Sequence, residues 1–463
     1  MPRLTRRQFL RSAAMTAAGA AMARSKAFAA PVIASSRNAN EKLNIACIGT
    51  GGQGGSHLGW CARNDNLVAL CDVEENHLNG PAAKYPDARK FTDYREMFDK
   101  MHKEIDAVTV GIPDNHHACA SMMAIKLGKG VYCEKPLTHD IHEARALAEA
   151  ARKYKVATQM GNQGRAEEGW RLLCEFIWAG AIGNVTEAHV WTDRPGIPKR
   201  PWWPQGADRP KGSDPLPAHL HWDLWLGPAP DRPYLGTYKE GKFKGKQVYH
   251  PFVWRGWWDF GTGALGDIGC HAMSGLFSAL KITHAAGVEL VKDSGDGTNE
   301  MPPCSSIIRW DIPARGEQPA CKIFWYDGGY YPPRDVTGVP EGKEPPDNGQ
   351  IFVGDKGRMS WYGGGPRLMP EEKMKDFKKP DPVLPRCKSD HHREWLAACK
   401  GGEAPASNFD HAGPLTELVL LGNFALRAGL GKKVEWDSPN MKVKNMSELD
   451  QYVKREYRKG WTL

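Results

Sequence analysis

The sequence has no C-x-x-C pair, and after its first 30 residues it has no apolar run near the ~18 residues that a membrane-spanning helix needs. Its 11 cysteines are an odd number, and Cys47, Cys71 and Cys133 lie in short apolar runs where cysteine serves as a small hydrophobic residue. We therefore expect mostly free thiols and no stable membrane insertion.

Acidic residues are absent from residues 1–30, which hold six arginines and lysines. These six account for most of the formal net charge of +8, so the rest of the chain carries only +2. That near balance argues against nucleic acid as a partner. A length of 463 residues with 41% hydrophobic residues indicates a folded protein of two domains with additional segments.

The first 30 residues contain the parts of an export signal in the correct order. Residues 5–10, Thr-Arg-Arg-Gln-Phe-Leu, resemble the twin-arginine (Tat) signal. A small-residue stretch follows over residues 12–23, and residues 27–29, Ala-Phe-Ala, are typical of a cleavage site. We predict a signal peptide over residues 1–30, recognition by the Tat translocation machinery, and a periplasmic or other extracytoplasmic location. Because this route carries folded proteins, free thiols formed in the reducing cytoplasm are compatible with export.

Short apolar strands alternate with amphipathic helices over the next 130 residues or so, which is typical of a doubly wound parallel sheet. The alternation predicts a Rossmann domain over residues 31–160. Its strands are predicted at Leu43–Ile48, Leu67–Cys71, Ile105–Val110, Val131–Cys133 and Val156–Met160.

Residues 161–463 segregate their strand-like and helical segments, which predicts an α+β domain with a largely antiparallel open sheet. Helices are expected near Ala166–Ala179 and Pro414–Leu426. Residues 195–254 form an irregular stretch rich in proline, glycine and tryptophan, typical of a functional surface insertion. Tryptophans in and just after it are candidates for stacking on sugar rings: Trp202, Trp203, Trp222, Trp225, Trp254, Trp257 and Trp258.

A glycine-rich motif directly follows the first strand. Gly49-Thr50-Gly51-Gly52-Gln53-Gly54 is G-x-G-x-x-G, whose glycines permit a tight turn and let a pyrophosphate rest on a helix N-terminus. Asp72 ends the second strand, where a carboxylate can bond both adenosine ribose hydroxyls. Val73 and Glu74 follow it, and neither can receive a 2′-phosphate. NAD is therefore favoured over NADP.

Three further motifs resemble those of the Gfo/Idh/MocA family, the glucose–fructose oxidoreductase and inositol dehydrogenase group. They are Glu134-Lys135-Pro136, the Pro113–His117 segment, and Asp267-Ile268-Gly269-Cys270-His271. With the glycine motif they span residues 43 to about 275 in the family's order and spacing. The resemblance implies that Pro113, His117, Glu134 and Lys135 lie at the cofactor. It also implies an oxidoreductase acting on a sugar, glycoside or polyol, assembled as a homodimer or homotetramer through the second domain's sheet.

The residue types support that chemistry. Lys135 at a strand end can hydrogen-bond the hydroxyl that loses hydride. Asp267 and His271 are four residues apart, so on a helix they share one face. There the carboxylate can orient the imidazole, and His271 can take the hydroxyl proton. These three residues are the predicted catalytic set.

Two other functions compete with the oxidoreductase. An NAD-dependent glycosidase would use the same site for oxidation, elimination, addition and reduction, while an NAD-sensing or structural protein would not need the catalytic set. No metal site is predicted, because the histidine pairs at 219/221 and 391/392 have no matching ligand spacing. Outside the cytoplasm, free NAD is not supplied, so an exported enzyme must carry its cofactor tightly bound and regenerate it in place.

Overall fold

The computed structural model describes residues 41–197, 199–386 and 390–463. The predicted signal peptide lies outside the described residues. A six-stranded parallel sheet has the order β3-β2-β1-β4-β5-β6. Its strands are β1 Asn44–Ile48, β2 Asn66–Cys71, β3 Arg89–Phe91, β4 Ala107–Val110, β5 Gly130–Glu134 and β6 Thr158–Gly161. The helices between them are α1 Gly52–Asn64, α2 Glu75–Lys84, α3 Tyr94–Met101, α4 Asp114–Lys126 and α5 Ile141–Tyr154.

Local sequence explains these elements. Strands β4 and β5 are buried along their whole length, as expected for central parallel strands covered on both faces. Helix α5 begins with a capping box, in which Asp140 accepts a hydrogen bond from the Glu143 backbone and the Glu143 side chain bonds back. Gly128, two residues after the end of α4, has φ 73° in the left-handed region, and this conformation ends the helix. The order of these elements places the carboxyl ends of β1, β2, β4 and β5 along one edge.

The second sheet has nine strands in the order β15-β14-β13-β7-β12-β11-β10-β16-β17. Only β7 and β12 pair in parallel, so this sheet is largely antiparallel. The predicted fold class, a Rossmann domain followed by an α+β domain, is confirmed. The strands are β7 Val185–Trp191, β10 Gly287–Asp293, β11 Ser306–Ile312, β12 Cys321–Tyr326, β13 Gly349–Gly354, β14 Gly357–Trp361, β15 Arg367–Met369, β16 Lys433–Asp437 and β17 Lys442–Val443, and a separate small hairpin pairs β8 Gly196–Ile197 with β9 Arg200–Pro201.

The helices of this part are α6 Gly169–Trp178, α7 Trp222–Leu226, α8 Gly263–Ala279, α9 Arg334–Thr337, α10 Lys373–Asp376, α11 His391–Cys399 and α12 Phe409–Ala428. Short 3-10 turns occur at Gln163–Ala166, Val253–Gly256 and Ser447–Tyr452. Buried side chains alternate along β11, so one face of the large sheet packs on helices. Among the residues that the structure describes, every helix is too short or too polar to cross a membrane.

Packing crosses the boundary that the sequence predicts at residue 160. Helix α11 lies against the parallel sheet, where Trp395 and Leu396 share a core with Ile45 and Cys47 of β1. Helix α12 packs against α5, and the Arg145 guanidinium of α5 donates to a carboxylate on α12, that of Glu417. The two domains therefore share one continuous body of buried side chains.

The Pro/Trp-rich insertion docks on the Rossmann domain. The backbone N–H of Glu75 donates to the carbonyl of His219 at 2.9 Å, and that of His221 donates to Val73 at 2.9 Å. The insertion thus adds a short antiparallel segment directly after β2. It has its own apolar core, to which Trp222, Trp257 and neighbouring aromatic residues contribute.

Ten cysteines lie in the described part of the chain, and all ten are free thiols. Nine of them are buried. The prediction of mostly free thiols is confirmed for these residues.

Candidate active site

A cavity of about 540 Å³ opens at the carboxyl edge of the parallel sheet, under the insertion. Ten of the predicted site residues line it: Gly49, Gly51, Gly52, Gln53, Asp72, Pro113, Glu134, Lys135, Asp267 and His271. They come from both domains, so the fold brings together residues more than 200 positions apart. Gly54 and His117 are outside this lining.

The glycine turn has the shape that a dinucleotide requires. Gly49 has φ +87°, and a Cβ there would lie 2.2 Å from the carbonyl oxygen of Gly111. A Cβ on Gly54 would lie 2.5 Å from the carbonyl oxygen of Gly49, so this glycine allows α1 to approach the turn closely. Gly52, by contrast, has φ +50° and open space around it. No side chain caps α1 and no acid lies in its first turn, so its N-terminal N–H groups suit a pyrophosphate.

Asp72 is held in position at the end of β2. Its carboxylate accepts the backbone N–H of Thr50 at 2.8 Å and that of Glu74 at 3.0 Å. Thr50 Oγ1 also lies 3.2 Å from Oδ2, whereas Oδ1 keeps a lone pair, and the side chain lines the cavity. This arrangement fits the two ribose hydroxyls of NAD, and it places a negative charge where NADP would carry its 2′-phosphate.

His117 differs from the expectation that it contacts the cofactor. Its side chain is fully buried, with Nδ1 2.7 Å from the Pro136 carbonyl and Nε2 2.8 Å from the Ile112 carbonyl. Both ring nitrogens must donate to these acceptors, so the ring is an imidazolium. Burial opposes that charge, but Cys133, Asp114 and the Pro136 carbonyl outweigh it and raise the pKa of His117 to about 9. His117 therefore ties the loops after β4 and β5 together from behind the cavity.

Glu134 is a buried carboxylate at the end of β5. The Nε2 atom of His57 lies 3.2 Å from its Oε1, and Gln53 and Gln163 donate to the same oxygen at 3.3 and 3.2 Å. Burial would raise the pKa of the Glu134 carboxyl, but His57 and Lys135 outweigh burial and lower it to about 2. Glu134 is thus an anion, held by His57, Gln53 and Gln163 next to Lys135 in the chain.

Asp267 has partners other than the expected His271. The Lys135 ammonium donates to its Oδ1 at 2.9 Å, and the Arg255 guanidinium donates to the same oxygen at 3.0 Å. Arg194 lies 3.9 Å from the other oxygen. Burial would raise the pKa of the Asp267 carboxyl, but Lys135 and Arg255 outweigh it and hold that pKa well below its usual range. The carboxylate therefore positions Lys135 rather than the imidazole.

His271 lies one turn along α8 from Asp267 and lines the cavity. Burial and then the positive charge of Lys135 lower the pKa of His271 to about 4, although Glu134 and Asp267 act in the opposite direction. A histidine with that pKa is neutral at pH 7 and able to accept a proton. No hydrogen bond within the described residues ties down its ring.

Several cavity residues are not predicted by the sequence motifs. Arg194 and Arg255 line the cavity beside Asp267, and Trp461 lines it beside Tyr94 and His116. Their positions follow from long-range folding, and no local spacing marks them. Of the candidate tryptophans, only three line the cavity: Trp202, Trp225 and Trp254. The others pack within the insertion or beside it.

Two models of one protein family match the chain. The oxidoreductase family's NAD-binding Rossmann fold matches residues 43–162, and the same family's C-terminal alpha/beta domain matches residues 199–300. These ranges contain the glycine motif, Asp72 and the three family motifs.

Curated relatives match about a third of the chain. An inositol 2-dehydrogenase of Salmonella typhimurium is 28% identical over 152 residues, which are 32% of this chain and 45% of the relative. An inositol 2-dehydrogenase of Rubrobacter xylanophilus is 30% identical over 160 residues, 34% of this chain and 45% of that protein. The chain thus aligns with less than half of the length of these dehydrogenases.

Solved structures share the fold over most of the chain. The WlbA dehydrogenase of Bordetella pertussis, solved with NADH and UDP-GlcNAcA, has a TM-score of 0.56 at 15% identity and covers 86% of this chain and 99% of its own. The aldose-aldose oxidoreductase of Caulobacter crescentus has a TM-score of 0.53 at 16% identity, covering 85% and 100%. With both domain models matched in order on this fold, the chain belongs to the Gfo/Idh/MocA family of NAD-binding oxidoreductases.

Proposed function

We propose that this protein oxidises or reduces a hydroxyl or keto carbon of a sugar, glycoside or polyol, using an NAD that stays bound between turnovers. The observation that carries the proposal is the meeting of Lys135 and a neutral His271 on one cavity wall beside the glycine turn. The relatives' names, inositol 2-dehydrogenase and aldose-aldose oxidoreductase, favour this substrate class. They give no support to a glycosidase.

Each catalytic residue has a distinct task. Bound NAD supplies the hydride acceptor or donor. The Lys135 ammonium, held by Asp267, hydrogen-bonds the reacting oxygen and keeps its carbon in place. The neutral His271 ring accepts the hydroxyl proton during oxidation and returns it during reduction. Arg255 keeps the Asp267 carboxylate charged, which maintains the position of Lys135.

The insertion supports a retained cofactor. It is hydrogen-bonded to the segment after β2, and it also reaches α4, where the Asn115 amide donates to the Leu226 carbonyl at 3.0 Å. The His116 ring lies 2.9 Å from the Trp225 carbonyl. Release of a dinucleotide from the cavity therefore requires these contacts to open, which would slow its exchange.

We further propose export by the twin-arginine route and assembly as a homodimer or homotetramer. Export rests on the signal-like residues 1–30. Assembly would use the half-exposed face of the nine-stranded sheet, where Ile307 and Phe324 are only partly buried. Size-exclusion chromatography with light scattering tests the assembly.

Mass spectrometry of the nucleotide released by denaturing the purified protein is the direct test of the cofactor. The expected result is NAD or NADH at close to one per chain. Candidate sugars and polyols are then added to the oxidised holoenzyme, and the near-ultraviolet absorbance of the reduced nicotinamide is followed. A protein that carries no dinucleotide, or one that no sugar, glycoside or polyol reduces, would contradict the proposal.

A further inference from the structure

Four side chains meet beside the cavity, and two of them, His77 and His250, belong to its lining. His77 Nε2 lies 3.7 Å from a carboxylate oxygen of Glu74, and His250 Nε2 lies 4.0 Å from the same oxygen. His219 Nε2 lies 3.8 Å from the second oxygen. The ligand atoms of Glu74, His77 and His250 are all within 4.8 Å of one another.

These distances are too long for hydrogen bonds and suit a shared ion. Nitrogen–oxygen hydrogen bonds measure about 2.7–3.2 Å, so none of the three imidazoles donates to Glu74. In a tetrahedral zinc site the bonds are ~2.0–2.2 Å, which places neighbouring ligand atoms about 3.3–3.6 Å apart. The spacings of 3.7–4.0 Å between Glu74 and the three imidazoles are a few tenths of an ångström wider than that, and the ligand atoms of His77 and His250 lie within 4.8 Å of each other. Small side-chain rotations would close these spacings around one ion.

We propose that Glu74, His77, His219 and His250 bind one divalent transition-metal ion of the zinc class. Imidazole and carboxylate together suit such ions, and four ligands complete a structural, closed site. Glu74 is itself buried, and the Asn76 backbone N–H fixes one of its oxygens at 2.9 Å.

The ion would join two parts of the chain. Glu74 and His77 belong to the start of α2 in the Rossmann domain, whereas His219 and His250 belong to the insertion. The glycine turn is in direct contact with this cluster, because a Cβ on Gly51 would lie 2.5 Å from the His77 ring. Metal binding would therefore fasten the insertion over the dinucleotide. This role in retention rests on the proposed function, whereas the metal site itself does not.

The test uses the full-length holoprotein, stripped with a chelator and titrated with Co²⁺. A tetrahedral site gives a visible Co²⁺ absorption band that saturates at one ion per chain and that Zn²⁺ displaces. His219→Ala is the first variant, since this side chain is 46% exposed and its loss leaves the core intact. His250→Ala is the second. Loss of a ligand should weaken Co²⁺ binding at least ~100-fold.

The matched control is His221→Ala, which removes a histidine two residues away that lies 3.1 Å from Glu75 instead of Glu74. It should bind Co²⁺ like the unaltered protein. The proposal is overturned if no band forms, if both ligand variants bind unchanged, or if the control loses the band equally. Bound NAD and its reduction by substrate are measured on the same samples. Failure of the metal site with intact NAD reduction would leave the proposed function standing.

Discussion

The proton-accepting role of His271 makes a prediction about rate and pH together. With a pKa near 4, only about one His271 ring in a thousand is protonated at pH 7. Oxidation of substrate should therefore be nearly independent of pH from about 5.5 to 8. On the acid side the rate should rise as pH climbs through about 4, because the base must be neutral to act. An ordinary histidine would place that limb near 6.5.

Removing the base should slow the reaction strongly while leaving the fold intact. His271→Ala should slow single-turnover reduction of bound NAD about 10²–10⁴-fold. That loss corresponds to roughly 2.7–5.4 kcal/mol of transition-state stabilisation. Lys135→Ala should cost a comparable amount, and the double variant little more than either single one, since the two groups act on the same hydroxyl. His102→Ala, at the end of α3 and outside the cavity lining, is the control and should be unchanged.

The assay follows nicotinamide absorbance after rapid mixing of oxidised holoenzyme with substrate, so that a single hydride transfer is measured apart from reoxidation of the cofactor. Lys135→Met should also move the acid limb to higher pH, because the ammonium charge lowers the pKa of His271. Asp267→Asn should move the acid limb to lower pH, because the carboxylate raises the pKa of His271. The same variant should slow the reaction, because it frees Lys135. Full-rate reduction by His271→Ala, or an acid limb that stays near 6.5 in every protein, would refute the assignment.

Three further predictions concern other parts of the chain. Asp72→Ala should weaken NAD binding and narrow the preference over NADP, measured by titration of the apoprotein; unchanged NAD binding would remove Asp72 from the cofactor site. Replacing Arg6 and Arg7 by lysine should leave unprocessed precursor in the cytoplasm of a host with the twin-arginine pathway, and normal processing on immunoblots would contradict the signal. Burial lowers the pKa of both His139 and His392 to about 3, so the unfolded chain gains protons first as pH falls below about 6.5. Above that pH the two histidines do not lower the free energy of unfolding, whereas at pH 5 each should lower it by roughly 2 kcal/mol. The denaturant midpoint should therefore be lower at pH 5 than at pH 7, and an equal or higher midpoint would argue against this reasoning.

The Rossmann half could be predicted from the sequence because its signals are local. The glycine motif, the strand before it and Asp72 lie within 30 residues, and the parallel sheet forms as expected. The partners of Asp267 could not be predicted in the same way. Helical spacing brings it near His271, but Lys135 and Arg255 arrive from other elements and provide stronger, charge-assisted bonds.

Two other differences have the same origin. The motif places His117 correctly along the chain, yet two buried carbonyls take both of its ring nitrogens and turn it away from the cavity. The four-residue cluster around Glu74 draws on positions 74, 77, 219 and 250, so no ligand spacing appears in the sequence. In each case the deciding contact is made by segments that are far apart in the chain, and only the folded topology brings them together.

The wall of the cavity is assembled from residues 48 to 461, and this has a consequence for biosynthesis. The side beside Tyr94 and His116 is completed by Trp461, with ring centroids 6.0 and 5.3 Å away. A nascent chain that has emerged only through the Rossmann half presents the glycine turn but no closed compartment. A dinucleotide held in this cavity would therefore be enclosed on this side only after Trp461 has been made and has packed against Tyr94 and His116.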